Sequence, residues 1–123
     1  VNTNYSVGNQ HGVNFMVTTN GNHRLIGVHA IGNRVAGVLA QGLARGVQSA
    51  NLFGNGDVPD PNGVLPLNCG LVSYGNPATP PDFTGNYWGA ASGPGANGAD
   101  QYCNKALLAG VTNPFLPALI EFQ

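Results

Sequence analysis

Residues 31–55 read IGNRVAGVLAQGLARGVQSANLFGN, a stretch that opens on Ile31-Gly32-Asn33 and closes on Phe53-Gly54-Asn55. Its interior admits two readings. Leu39, Leu43 and Val47 fall at i, i+4 and i+8, the spacing of one helical face. Gly37, Gly42 and Gly46 interrupt that face, and each glycine costs roughly 1 kcal/mol against alanine inside a helix. The balance favours two short strands, over residues 37–40 and 46–50. The same hydrophobic-Gly-Asn triplet stands upstream as Val7-Gly8-Asn9 and downstream as Tyr74-Gly75-Asn76. The asparagines Asn9, Asn33, Asn55 and Asn76 thus recur at a period a little over twenty. A fifth copy, Thr84-Gly85-Asn86, begins on a polar residue and follows after less than half that interval. A second series, Gly-Val, recurs at Gly12, Gly27, Gly37, Gly46 and Gly63 and reads as strand starts after tight turns.

A period of this length suits one coil of a β-solenoid, in which short strands joined by sharp bends stack on the next coil at about 4.8 Å. Glycine and asparagine tolerate the left-handed backbone such bends require. Asparagines at one angular position can also pass amide hydrogen bonds from coil to coil. Asn9, Asn33, Asn55 and Asn76 are the expected members of that ladder. Residues 57–66 and 77–82 are proline-rich and read as loops bulging from a coil. Residues 105–110 are the other helical candidate and are too short to stand alone. The expectation is an all-β, coiled, single domain over residues 1–123.

Composition narrows the function. Among 123 residues only 7% are charged, the net charge is −1, and 42% are hydrophobic. A typical soluble domain carries roughly 25% charge. There is no basic patch to serve as a footprint for nucleic acid, so no such partner is expected. No apolar run approaches the roughly 18 residues of a membrane span, and no membrane insertion is expected. Leu, Ile, Val and Phe together supply about a quarter of the chain, above the about 20% below which chains stay disordered. The two cysteines, Cys69 and Cys103, lie far apart in the chain and form no zinc-type spacing. They read either as one disulfide or as two buried thiols. Their even number, with scarce lysine, favours an oxidising, extracellular or cell-surface setting. Asn4-Tyr5-Ser6 is the one glycosylation-type sequon. A start on Val1 reads as a processed product or an excised fragment.

Residues 85–100 carry a more specific string: Gly85-Asn86-Tyr87-Trp88-Gly89, then Ser92-Gly93-Pro94, then Gly98-Ala99-Asp100. It resembles the closing coils of right-handed parallel β-helix proteins of the pectate-lyase-like superfamily, over roughly residues 68–117. The resemblance implies a right-handed parallel β-helix; roughly five short coils are expected in this chain, with residues 86–123 as closing coil and C-terminal cap. It also implies a Cys69–Cys103 bridge that staples the proline-rich excursion and the Trp88 coil to the stack. Trp88 is then either an aromatic plug over the last coil or a platform for stacking a sugar ring.

Catalysis must be sought in residues and not in fold. Glycoside hydrolysis needs two carboxylates about 5–9.5 Å apart. Asp57 and Asp60 share one loop and are the pair to consider, for catalysis or for Ca²⁺. Asp100 reads as a turn cap. A lyase would need an acidic calcium cluster with an Arg or Lys base, which the sequence does not offer. Arg24 and Arg45, close to one repeat apart, are expected on one face, where an acidic polysaccharide could bridge them. His11, His23 and His29 follow no metal-ligand spacing, and no cofactor is expected. The N-terminal end, from Tyr5 to Val7, lacks charge and a cap, so it should meet another copy end to end, or further coils of a longer chain. The sequence therefore points to a secreted or cell-surface module with a structural, self-assembling or carbohydrate-contacting role. The competing reading is the C-terminal piece of a polysaccharide lyase or glycoside hydrolase whose active coils lie elsewhere.

Overall fold

Gly8, Gly32 and Gly54 share a positive φ of 74°, 67° and 67°, a backbone region that side chains with a Cβ avoid. Each ends a strand and turns the chain into the asparagine that follows it. The computed structural model describes residues 4–75, 79–105 and 108–121, and in them every regular element is a β-strand. The strands are β1 (Asn4–Val7), β2 (His11–Val17), β3 (Arg24–Ile26), β4 (Val28–Ile31), β5 (Ala36–Gly42), β6 (Gly46–Gln48), β7 (Asn51–Phe53), β8 (Cys69–Ser73) and β9 (Gln101–Asn104).

These strands form three small sheets, ordered β1-β4-β7, β2-β5-β8-β9 and β3-β6, and every pairing is parallel. Registers run Asn4↔Val28, His29↔Asn51, His11↔Ala36 and Arg24↔Gly46, so a strand pairs with its equivalent one repeat later. Beyond β7 the separation widens, to Ala36↔Cys69 and Cys69↔Gln101, because residues 54–68 and 89–100 are inserted between strands. Isolated bridges extend two of the sheets, Asn51↔Tyr87 in the first and Gly46↔Asp82↔Val111 in the third. The largest sheet among the described residues has four strands, against the roughly five coils expected.

Inward positions alternate along the strands and align between them. Val38 pairs with Leu71, and Ala30 with Leu52, and all four are buried together with Val28, Val47, Phe83 and Trp88. A second cluster joins Val35, Leu39, Leu65 and Val72 to the disulfide Cys69–Cys103 on the other face of the four-stranded sheet. The stretch 37–40 lies inside β5, which is longer than expected, and residues 46–50 split at Ser49, whose φ of 54° ends β6 and turns the chain into β7.

Two sequence signals fall elsewhere than expected. Gly63-Val64 starts no strand, since it belongs to the loop before β8. Tyr74-Gly75 follows β8 and does not precede it: the Tyr74 N–H donates to the Ala40 carbonyl, and Gly75 packs on the Gly42 backbone. Asn76 itself lies outside the described residues, as do parts of the expected loop 77–82 and helix candidate 105–110. Thr84-Gly85-Asn86 occupies a third bend, level with Ser49, whose N–H donates to Gly85 O.

Candidate functional site

A row of side-chain amides, buried at Asn33 and Asn55, runs along the bend before the four-stranded sheet. The Asn9 N–H donates to Asn33 Oδ1 at 3.2 Å, and Asn33 donates through its backbone and its Nδ2 to Asn55 Oδ1, at 3.0 and 2.9 Å. Asn55 Nδ2 donates to Asp100 Oδ2 at 2.7 Å and to the Ala30 carbonyl at 2.7 Å. Asp100 therefore adjoins Asn55 in the row; Asn76, the expected member, lies outside the described residues. The Asp100 N–H turns away to Trp88 O at 2.8 Å, so the row stops there. Asp100 is 2% exposed. Burial pushes its carboxyl up to about 7, against the opposing hydrogen bonds from Asn55 and Gly54.

A glycine column makes room for this row. Gly12, Gly37 and Gly70 align across β2, β5 and β8. A Cβ on Gly12 would meet Asn33 Nδ2 at 2.7 Å, one on Gly37 would meet Asn55 Nδ2 at 2.9 Å, and one on Gly70 would meet Asp100 Cβ at 2.7 Å. The recurring Gly-Val signal thus has a packing cause at Gly12 and Gly37.

Arg24 does not stack freely beside Arg45. Its Nη1 donates to Asp82 Oδ2 at 2.9 Å and to Gln48 Oε1 at 2.7 Å, and its Nε donates to Asn22 Oδ1 at 2.8 Å. Partial burial pushes the Asp82 carboxyl up. Thr84, through its hydroxyl at 2.6 Å and its N–H at 3.0 Å, and the Arg24 guanidinium outweigh that and hold it below the usual range. Register sets Arg24 opposite Gly46, so Arg45 falls one residue out of line, and its backbone, not its side chain, joins His23 and Asp82. The like-charged pair expected to hold a polyanion is replaced by an ion pair between Arg24 and Asp82. No local signal in the sequence marks that pairing, since 58 residues separate the two.

Asp57 and Asp60 have different surroundings. Asp57 is exposed. Asp60 accepts the N–H groups of Asn62, Val64 and Leu65 at 3.1, 3.1 and 3.0 Å, which hold its carboxyl below the usual range. A carboxylate so engaged organises its own loop and is a poor proton donor. Among the described residues, no group of three or more His, Cys, Asp or Glu is placed to hold a metal ion. Trp88 is fully buried with Phe83 and Leu52, so neither ring face is open to a sugar; burial corrects the platform reading.

The C-terminal segment is bonded to the first sheet at Asn51. Asn51 and Ile120 exchange two hydrogen bonds, both 2.9 Å, and the Asn51 amide also donates to His29 Nδ1 at 2.9 Å. Burial lowers the His29 pKa. The opposite end of the molecule is different in kind. There β1, β2 and β3 are each the edge strand of their sheet. Met16 on β2 is 54% exposed, and a cavity of about 320 Å³ opens between Phe15, Met16, Thr18, Thr19, His23 and Arg24.

Comparison with protein-family models, with curated proteins and with solved structures finds no match to this chain. Its function therefore has to be argued from its own residues.

Proposed function

We propose that the chain is a right-handed parallel β-helix module that acts structurally, by joining another β-structured surface through its open β1–β2–β3 edge, outside the cell or on its surface. The coil reading rests on parallel pairing at the repeat spacing within three sheets, and on the strong preference of parallel crossovers for the right hand. It is the same arrangement that the Gly85–Asp100 string suggested by its resemblance to pectate-lyase-like proteins. The disulfide supports an oxidising compartment, and no helix of the described residues is long and apolar enough to cross a membrane.

The observation that carries the structural role is the set of three edge strands at one end. An edge strand presents unpaired N–H and C=O groups, which template another strand unless something blunts them. Here β2 carries a half-buried Val13 and an exposed Met16. Of the described carboxylates, Asp60, Asp82 and Asp100 each hold local or inter-strand structure, which favours this reading over a catalytic one.

Sedimentation velocity over a range from low to high micromolar tests it. The expected result is reversible association that Met16→Lys weakens while the melting temperature stays unchanged. A compact monomer throughout that range would overturn the proposal.

A further inference from the structure

The two ends of the stack are not alike, and the difference selects the partner. No Asp, Glu, Lys, Arg or Pro occurs between Val1 and His23, so β2, with seven residues, carries neither the charge, the proline nor the shortness that discourages edge pairing. The far end carries several. Its last sheet strand, β9, is only four residues long and is followed directly by Lys105. Pro114 and Pro117, which cannot donate to a ladder, lie in the segment that completes the stack there, with Gly85 N–H on Pro114 O and Leu116 N–H on Asn86 O. The buried amide row also stops at that end, because Asp100 turns its N–H to Trp88.

A head-to-tail filament would have to set β2, with seven residues, against β9, with four, across these obstacles. An end-to-end arrangement of two open edges avoids all of them. We infer that the open edge receives the same edge of a second copy of this chain, related by a two-fold axis perpendicular to the stack. This rests on the proposed assembly role and fixes its partner and symmetry.

The register follows from β2 itself. A two-fold axis makes β2 antiparallel to its symmetry mate, and centring it on Asn14 sets Asn14 against Asn14, Val13 against Phe15, Gly12 against Met16 and His11 against Val17. Val13, Phe15 and Val17 pack on the core side, whereas Asn14 and Met16 are exposed. This register therefore places Val13 and Phe15, both inward, opposite each other. The long Met16 side chain falls beside Gly12, which has none. The equal length of the two β2 strands and the absence of Asp, Glu, Lys and Arg from β2 make the contact self-complementary, and a closed dimer results in place of an open polymer.

Charge reversal at the axis is the test, since like charges directly opposite destabilise a strand pair and unlike charges support it. Asn14→Lys and Asn14→Glu are made separately, with calorimetry on each to confirm an unchanged melting transition in dilute solution. The wild-type chain should saturate at the mass of a dimer. Each variant alone should lose at least tenfold in association, and an equimolar mixture should recover it. Asn14→Cys, kept oxidised, should cross-link to itself through residue 14. Growth beyond a dimer would overturn the two-fold arrangement while leaving assembly through the open edge intact. A wild-type monomer at every concentration would overturn both.

Discussion

Asp100 is the residue at which the amide row becomes titratable. The Asn33 and Asn55 side chains present neutral amides; Asp100 presents a carboxyl raised to about 7 by burial. A raised pKa means that the folded state holds the proton more tightly than the unfolded state. Its contribution is fully present below the unfolded value of about 4 and is lost as pH climbs through about 7. Stability should therefore decline across that window, with a limiting slope of about 1.4 kcal/mol per pH unit. Asp82 and Asp60, held below the usual range, act in the opposite sense and weaken the fold only at lower pH. Melting temperatures by calorimetry should peak on the mildly acidic side and fall toward alkaline pH, and Asp100→Asn should flatten that fall. Two glycines separate backbone strain from crowding in the same way. Gly32 has nothing within 4 Å of a built Cβ but a φ of 67°, so Gly32→Ala costs the roughly 1–2 kcal/mol of a left-handed residue. Gly37 has no such φ, yet its Cβ would strike the Gly70 carbonyl and Asn55 Nδ2. Gly37→Ala should cost about 1–3 kcal/mol through overpacking, and chemical denaturation should show a compensating gain when Asn55→Ala is combined with it. The sequence marked Asn33 and Asn55 because a glycine precedes each; Asp100 was hidden because its role depends on an inserted segment that returns it to the row.

At the level of elements, the hydrophobic-Gly-Asn triplet encodes a bend and not a phase. Three copies turn the chain at one bend, before β2, β5 and β8, but Tyr74-Gly75 lies after β8 and Thr84-Gly85-Asn86 lies beyond the third sheet position. Local chemistry is the same at each: a backbone able to turn, followed by a residue able to hydrogen-bond. Asn86 shows this, since its Oδ1 accepts the Ala50 N–H at 3.0 Å and its Nδ2 donates to the Val47 and Phe83 carbonyls at 2.7 and 2.9 Å. Spacing alone cannot tell one bend from another once insertions such as residues 54–68 lengthen a repeat. The strands were legible for a simpler reason, that glycines exclude a helix over residues 35–50. The Arg24–Asp82 pair was not legible, because it joins two repeats whose register only the folded sheet sets. The disulfide has its effect at this level too. It ties β8 to the short β9, the last strand of its sheet. Closing a loop of this length contributes about 4 kcal/mol on the chain-entropy account. A Cys69→Ala, Cys103→Ala double variant should lose about that much in a urea titration, with the loss concentrated in protection of β9.

For the whole molecule, parallel stacking predicts a gradient of stability along its axis. Each interior strand is paired on two sides and each edge strand on one, and amides alternate between the two sides of a parallel ladder. β5 lies between β2 and β8, with Ala36, Val38 and Ala40 all buried. β2 has β5 on one side and no strand of its own chain on the other among the described residues. In dilute solution, hydrogen exchange followed by NMR should give β5 and β8 amides the protection of global unfolding. In β2, alternate amides should be protected and the others open to solvent, because local opening free energies fall toward unsupported elements. Raising the protein concentration supplies the discriminating condition. If the open edge pairs with a second copy, the unprotected alternate amides of β2, and those of β1 and β3, should become protected together, while β9 stays unchanged. Protection spreading to β9 at the same concentration would instead indicate head-to-tail growth. Uniform exchange from all strands at every concentration would show that the stack opens only as a unit, and that its open edge gains nothing by contact.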